Sequence, residues 1–229
     1  MSPNQSTDAA LNGIRVIDLS RIVAGPHCTM CLADFSADVI KVEDTGKGDD
    51  LRSHKPPHIK CDSPYFLSLN RNKRSISINM AEPDGQAVIH DLLATADVLV
   101  ENFRTGVMEK YGVGYEDIKA RYPRLVYCSI SGYGREGSQA RRAAYDPVVQ
   151  AESGQMATNG SMESGPMRTG LAVTDTQTGH YAVQAILAAL FARERSGRGQ
   201  YIGVPLFDVA VSTLSHFGIR FLMDGTELP

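Results

Sequence analysis

The sequence predicts an α/β fold built on a mostly parallel, Rossmann-like sheet. Three observations carry that expectation. Short β-branched runs recur along the chain, as at 14–18, 38–43 and 98–100. Helical spacing of apolar residues lies between them, as at Val88, Ile89, Leu92 and Leu93. Strand and helix alternate from end to end, and that order favours parallel strands joined by helical crossovers.

The elements come in this order. Residues 1–10 are polar and read as a loose end. Residues 14–18 form a buried strand, Pro26 opens a helix running to 35, and 38–43 is a second strand. The stretch 44–64 holds two glycines, three prolines and many charges, and reads as a loop. A strand at 75–79, a helix at 83–96 and a strand at 98–100 come next. Short helices at 107–111 and 115–122 precede a strand at 124–130. Residues 131–170 are glycine-rich, with helical spacing only at 145–152. The longest helical pattern is 175–195, then a strand at 200–204 and a single last helix at 207–223. The expected organisation is a loose 1–10, a Rossmann-like part at 11–205, and a helix within 206–229 with nothing after it to close the fold, so the chain reads as an opening half.

Composition limits the function classes. Of 229 residues, 42% are hydrophobic and 21% charged, as in globular proteins rather than disordered ones. Lys plus Arg total 23 against 26 for Asp plus Glu, a net charge of −3, which excludes a broadly basic nucleic-acid binder. No apolar run approaches the ~18 residues of a membrane span. The N-terminal residues have neither a signal-peptide nor an Arg-rich transit pattern, so the cytoplasm is expected, with the mitochondrion as the alternative. Four cysteines, at 28, 31, 61 and 128, are too few for a disulfide scaffold and suit a reducing compartment.

Five features offer chemistry, each with a plainer alternative. Cys28 and Cys31 form a CxxC that His58 and Cys61 would complete as a zinc set. Their apolar helical setting favours a buried pair on one helix face. Residues 132–137 read Gly-Tyr-Gly-Arg-Glu-Gly, a literal GxGxxG, but residues 138–145 make a poor helix start, which favours a loop. Arg71, Lys73 and Arg74, with Lys41, offer phosphate-binding cations or a solvated charge run. Asn102, Phe103 and Arg104 come directly after a strand, where open parallel sheets collect ligands, although Asn102 also suits a helix cap. Asp175 opens the longest helix. It reads as an N-cap, or as a carboxylate held by helix N-terminal amides and able to attack an activated acyl group.

Taken together, several segments resemble the family III CoA-transferases, the group of formyl-CoA transferase, carnitine CoA-transferase and α-methylacyl-CoA racemase. They are Leu11-Asn-Gly-Ile-Arg-Val-Ile-Asp-Leu19, Ala24-Gly-Pro26, the run from Leu32 to Glu43, Asn70-Arg-Asn-Lys-Arg-Ser75, the run from Asp97 to Arg104, Tyr145-Asp146 and Ser196-Gly-Arg-Gly-Gln200. They occur in family order and span about residues 11–229. Together, Ala24-Gly-Pro26, Gly132-Tyr-Gly134 and Met167-Arg-Thr-Gly170 look closest to the branch that uses succinyl-CoA with dicarboxylates.

The resemblance implies CoA transfer from an acyl-CoA to a small carboxylic acid, with CoA a substrate and no permanently bound cofactor or metal. It implies Asp175 as the nucleophile, passing through an aspartyl anhydride and an aspartyl-CoA thioester. It places CoA against Val23, Ala24, Ile78, Asn79, Asn102, Phe103, Arg104, Lys110 and Tyr145, in an interlocked homodimer. The chain departs from the family pattern at Val23, Asp44 and Ala143. The racemase branch carries a histidine where Tyr145 stands. A phenol, with a reference pKa of about 10, is a poor base near neutrality, so Tyr145 favours transfer over racemisation. The chain stops near the family's linker into a small domain. A CoA-binding chain without turnover of its own is therefore the second expectation.

Overall fold

The computed structural model describes residues 9–54, 57 and 62–226. Six strands form one fully parallel sheet: β1 (Arg15–Asp18), β2 (Asp38–Glu43), β3 (Lys73–Ser77), β4 (Val98–Glu101), β5 (Val126–Ser131) and β8 (Tyr201–Pro205). Their order across the sheet is β3-β2-β1-β4-β5-β8. A second, two-stranded antiparallel ribbon pairs β6 (Gly160–Ser161) with β7 (Gly165–Pro166).

Period-two alternation sends successive strand residues to opposite faces. Val16, Val39, Val98, Val100, Cys128 and Val204 face one core with α1 (Ala24–Asp34), α7 (Val173–Ser196) and α8 (Leu206–Thr213). Ile17, Ile40, Val42, Leu99 and Tyr127 face the other, with α3 (Pro83–Leu93), α4 (Val107–Lys110) and α5 (Tyr115–Ile118). The inner strands β1, β2, β4 and β5 are thus covered on both sides, as strands apolar on both faces require, whereas the edge strand β3 is largely exposed.

Two local expectations change. Within the stretch read as loop and just beyond it, α2 (Pro64–Leu69) forms, with Ser63 Oγ accepting the Phe66 N–H at 3.0 Å. Ser before a Pro at the first helical position is its sequence signal. The single last helix divides into α8 and α9 (His216–Asp224), bent by 79° at Ser215, whose φ is +50°. Each half keeps helical periodicity, so the apolar pattern alone does not mark the break. Among the described residues, no single helix is long and apolar enough to cross a membrane.

Candidate functional site

The strand order reverses between β1 and β4. The chain leaves β1 toward β2 on one side, and β4 leads to β5 on the other. Loops leaving the carboxyl ends of two such strands part, and the crevice between them is where open α/β sheets take ligands. Here it is a cleft of about 370 Å³, walled by Arg21–Ala24 after β1, Asn102–Thr105 after β4, Ile130–Gly132 at the end of β5, residues 140–145, and Asp175 of α7. That volume falls within the range of small-molecule sites.

Buried polar groups fix the loop after β1. Asp18 accepts the Ser20 N–H at 3.0 Å, the Thr29 hydroxyl at 2.6 Å and Lys73 Nζ at 3.0 Å. Burial opposes its charge, but Lys73, Lys41 and the Ser20 and Thr29 hydroxyls outweigh that and hold the carboxyl well below the ordinary range. Lys41 Nζ donates to the Ser20 carbonyl at 2.9 Å and pairs with Asp49 at 2.9 Å. Ile22 adopts φ +66°, a costly conformation for a β-branched residue, and its N–H donates to Asp49 Oδ1 at 3.3 Å. Gly25 lets α1 begin against this loop, because a Cβ there would lie 2.2 Å from Ser20 Cβ.

Asn102 locks the two loops together. Its Oδ1 accepts the Arg21 N–H at 2.8 Å, and its Nδ2 donates to the Arg21 carbonyl at 2.7 Å. The Arg21 guanidinium lies 4.8 Å from the Phe103 ring centre. On the far side, Arg135 donates to Ser129 Oγ at 2.8 Å, the Phe103 carbonyl at 2.6 Å and Glu101 Oε1 at 2.7 Å. One side chain thereby ties the ends of β4 and β5. Arg135 is the central arginine of the glycine-rich motif, which forms turns and opens no helix. The dinucleotide fingerprint is therefore not built.

Asp175 is the third residue of α7, not its cap. The helix amides expected to hold it belong to Asp146, at the start of α6 (Asp146–Glu152). Asp146 Oδ2 accepts the Thr174 N–H at 2.8 Å and the Asp175 N–H at 3.2 Å. Burial pushes the Asp175 carboxyl up to about 7, and the Asp146 charge adds to the rise. Among the described residues, no donor or cation pairs with that carboxyl. The Tyr65 phenol of α2 is also raised, by burial and then by Asp175 and Asp146.

The structure brings Val23, Ala24, Asn102, Phe103, Arg104, Tyr145 and Asp175 onto one cleft. Ile78 and Asn79 line a smaller recess of about 70 Å³, which shares Arg21 and Phe103 with the cleft. Lys110 lines neither, and its Nζ lies 5.6 Å from the ring centre of Tyr111, a recess residue. Of the departures, Val23 and Ala143 line the cleft, beside Arg141 and Arg142, and Asp44 lines the recess.

Two readings are corrected. The basic cluster is spent on ion pairs: Arg71 with Asp34, Lys73 with Asp18 at 3.0 Å, Arg74 with Asp38 at 2.7 Å and Lys41 with Asp49. The acids lie on other strands, helices and loops, so the run itself does not reveal them. The CxxC does not act as one face. Cys28 is fully buried in the core, whereas Cys31 is partly exposed beside His27. His58 and Cys61 lie outside the described residues.

Fold and cleft define a doubly wound α/β protein with a cleft at the switch point, whose wall carries a carboxyl raised by burial and without a partner among the described residues. The chain belongs to the CoA-transferase family III, whose family model matches residues 11–229. It is 44% identical to mouse (Mus musculus) succinyl-CoA:glutarate CoA-transferase over 95% of this chain and 50% of that one. It is 43% identical to Agrobacterium fabrum succinate–glutarate CoA-transferase, over 94% of this chain and 55% of that one. Its fold matches a CaiB/BaiF family protein from Brucella suis, with a TM-score of 0.92 and 40% identity, over 96% of this chain and 59% of that one. The chain spans about half the length of the curated relatives it matches.

Proposed function

We propose that this chain supplies the CoA-binding, nucleophile-bearing part of an enzyme that moves CoA from a succinyl-CoA-like donor to a small dicarboxylic acid. The observation that carries the reading is Asp175: a partly buried carboxyl on the switch-point cleft, pushed up to about 7 and left without a partner among the described residues. A desolvated carboxylate is more basic, and hence more nucleophilic, than one in water. The relatives named for succinyl-CoA and glutarate support the substrate class.

In this reading, the Asp175 carboxylate attacks the donor thioester carbonyl. A mixed anhydride forms and CoA leaves as its thiolate. The thiolate then attacks the aspartyl carbonyl, giving an Asp175–CoA thioester and the free donor acid. The acceptor carboxylate attacks that thioester, and the returning thiolate takes up the acceptor acyl group, restoring Asp175. Each step hands the activation on as an anhydride or a thioester, which water would hydrolyse, so water must be excluded. Arg21, Arg104 and Arg141 on the cleft suit the anionic groups of CoA. Residues 11–205 are the CoA-binding part. The exposed Phe221, Leu222 and Met223 of α9 support a packing partner beyond that part, as an interlocked dimer would provide.

The test is peptide mapping by mass spectrometry after incubation with succinyl-CoA and hydroxylamine, which converts an activated carboxyl into a hydroxamate. A hydroxamate at Asp175, absent in Asp175→Ala, is expected. A folded, CoA-binding chain that gains none would show that it binds without activating Asp175.

A further inference from the structure

A second cluster lies where α1 packs on α7. His27 and Cys31 are one turn apart on α1 and share a face. His180 meets them from α7. The two imidazole Nε2 atoms are 3.0 Å apart, and Cys31 Sγ is 3.8 Å from His27 Nε2. One ligand atom from each of the three residues lies within 4.8 Å of the other two. Gly179 makes the approach possible: a Cβ there would sit 2.8 Å from the Ala24 carbonyl and 2.9 Å from His27 Cδ2.

The geometry points to a zinc site formed by His27 Nε2, Cys31 Sγ and His180 Nε2, distinct from the cleft, that clamps α1 to α7. Zinc takes nitrogen at about 2.0–2.1 Å and thiolate at about 2.3 Å in tetrahedral array. Those lengths place two nitrogens about 3.3 Å apart and nitrogen and sulfur about 3.6 Å apart. The His27–His180 and His27–Cys31 pairs differ from this by only a few tenths of an ångström, and Cys31 and His180, whose ligand atoms lie within 4.8 Å of each other, close the remaining gap on the metal. His180 is exposed, so the fourth position faces solvent and suits a water.

The charges nearby are compensated. Arg71 is paired with Asp34 and Lys73 with Asp18, while the Asp34 charge is felt by both His27 and Cys31. Cys31 enters as a thiol, so its S–H bond breaks, a zinc–sulfur bond forms and one proton passes to solvent. Asp175 lies outside the set. It precedes His180 by five residues, about 7.5 Å along the helix and some 140° around it. The clamp holds the two helices that begin at the cleft.

The purified full chain, stripped with a chelator, is titrated with Zn²⁺ against a colorimetric chelator, and separately with Co²⁺. One equivalent of zinc is expected, with a rise in melting temperature. Co²⁺ is expected to give a thiolate charge-transfer band that Cys31→Ser removes. His180→Ala replaces an exposed residue and should melt like the metal-free parent. It should weaken zinc binding by more than the roughly 10–100-fold that losing a ligand's hydrogen-bond partner costs. Zinc bound equally well by His180→Ala, no binding at all, or a thiolate band that survives Cys31→Ser would each overturn the proposal.

Discussion

Asp146 takes the Asp175 backbone N–H at 3.2 Å and, with the same charge, raises the carboxyl of the residue it holds. The favourable end of the α7 dipole is thereby given to Asp146, and Asp175 stands one step inside with its basicity increased. The two acids sit in divergent environments: Asp146 anchors the α7 amides, and Asp175 carries the raised carboxyl on the cleft wall.

Replacing Asp146 with Asn keeps an acceptor for the α7 amides and removes the charge. The Asp175 carboxyl should then titrate at lower pH, though still above an ordinary aspartate, because burial is the larger cause. The pH dependence of Asp175 hydroxamate formation reads this directly, and an unchanged midpoint would disprove the coupling. Asp146→Ala also loses the acceptor and should cost about 1–2 kcal/mol in urea unfolding, as a lost helix cap does.

Asp175→Asn should stabilise the protein, and only at higher pH. The folded carboxyl titrates near 7 and the unfolded one near 3.8, so between these values the folded state holds the extra proton. Wild-type stability from this group therefore falls as pH rises through that window. Urea unfolding of variant and parent should agree most closely near pH 4 and separate by pH 8, with the variant more stable. A variant equally or less stable at pH 8 would show that Asp175 is not destabilised by its site.

Asn102→Ala removes both bonds to the Arg21 backbone and frees the loops after β1 and β4 from each other. The stability loss should be about 1–3 kcal/mol, as for two part-buried hydrogen bonds. CoA affinity, measured calorimetrically, should fall with it, because both cleft walls lose their register. Unchanged CoA affinity would show that each loop is held independently.

Arg135→Gln leaves Glu101, 2% exposed, without its cation. Burial already raises the Glu101 carboxyl against the pull of Arg135, so the variant should take up a proton there. Its destabilisation should be about 3–5 kcal/mol when Glu101 is forced to stay charged and less once it protonates. Urea unfolding should therefore show a larger loss at pH 8 than at pH 5.

Much of the architecture was legible in the sequence because strand and helix periods are short-range signals. The residues of β1, β2, β4, β5, β8 and α7 announce themselves within windows of a few residues, and family motifs in order identify the family. The same motifs nominated Asn102, Phe103, Arg104, Tyr145 and Asp175, which meet on one cleft. The sequence by itself therefore determined the fold class and that residues 102–104 follow a strand, where open parallel sheets collect ligands; the strand order that makes the gap between β1 and β4 the switch point came from the tertiary structure. Tertiary structure alone decided what each charged or ligating group is bound to. Lys73 meets Asp18 from 55 positions away, Asp146 meets Asp175 from 29, and His180 meets His27 from 153. These pairings arise from crossovers that bring distant segments together, and burial between packed helices then sets protonation. No local window carries that information, since the energy of a buried charge depends on what the fold places beside it.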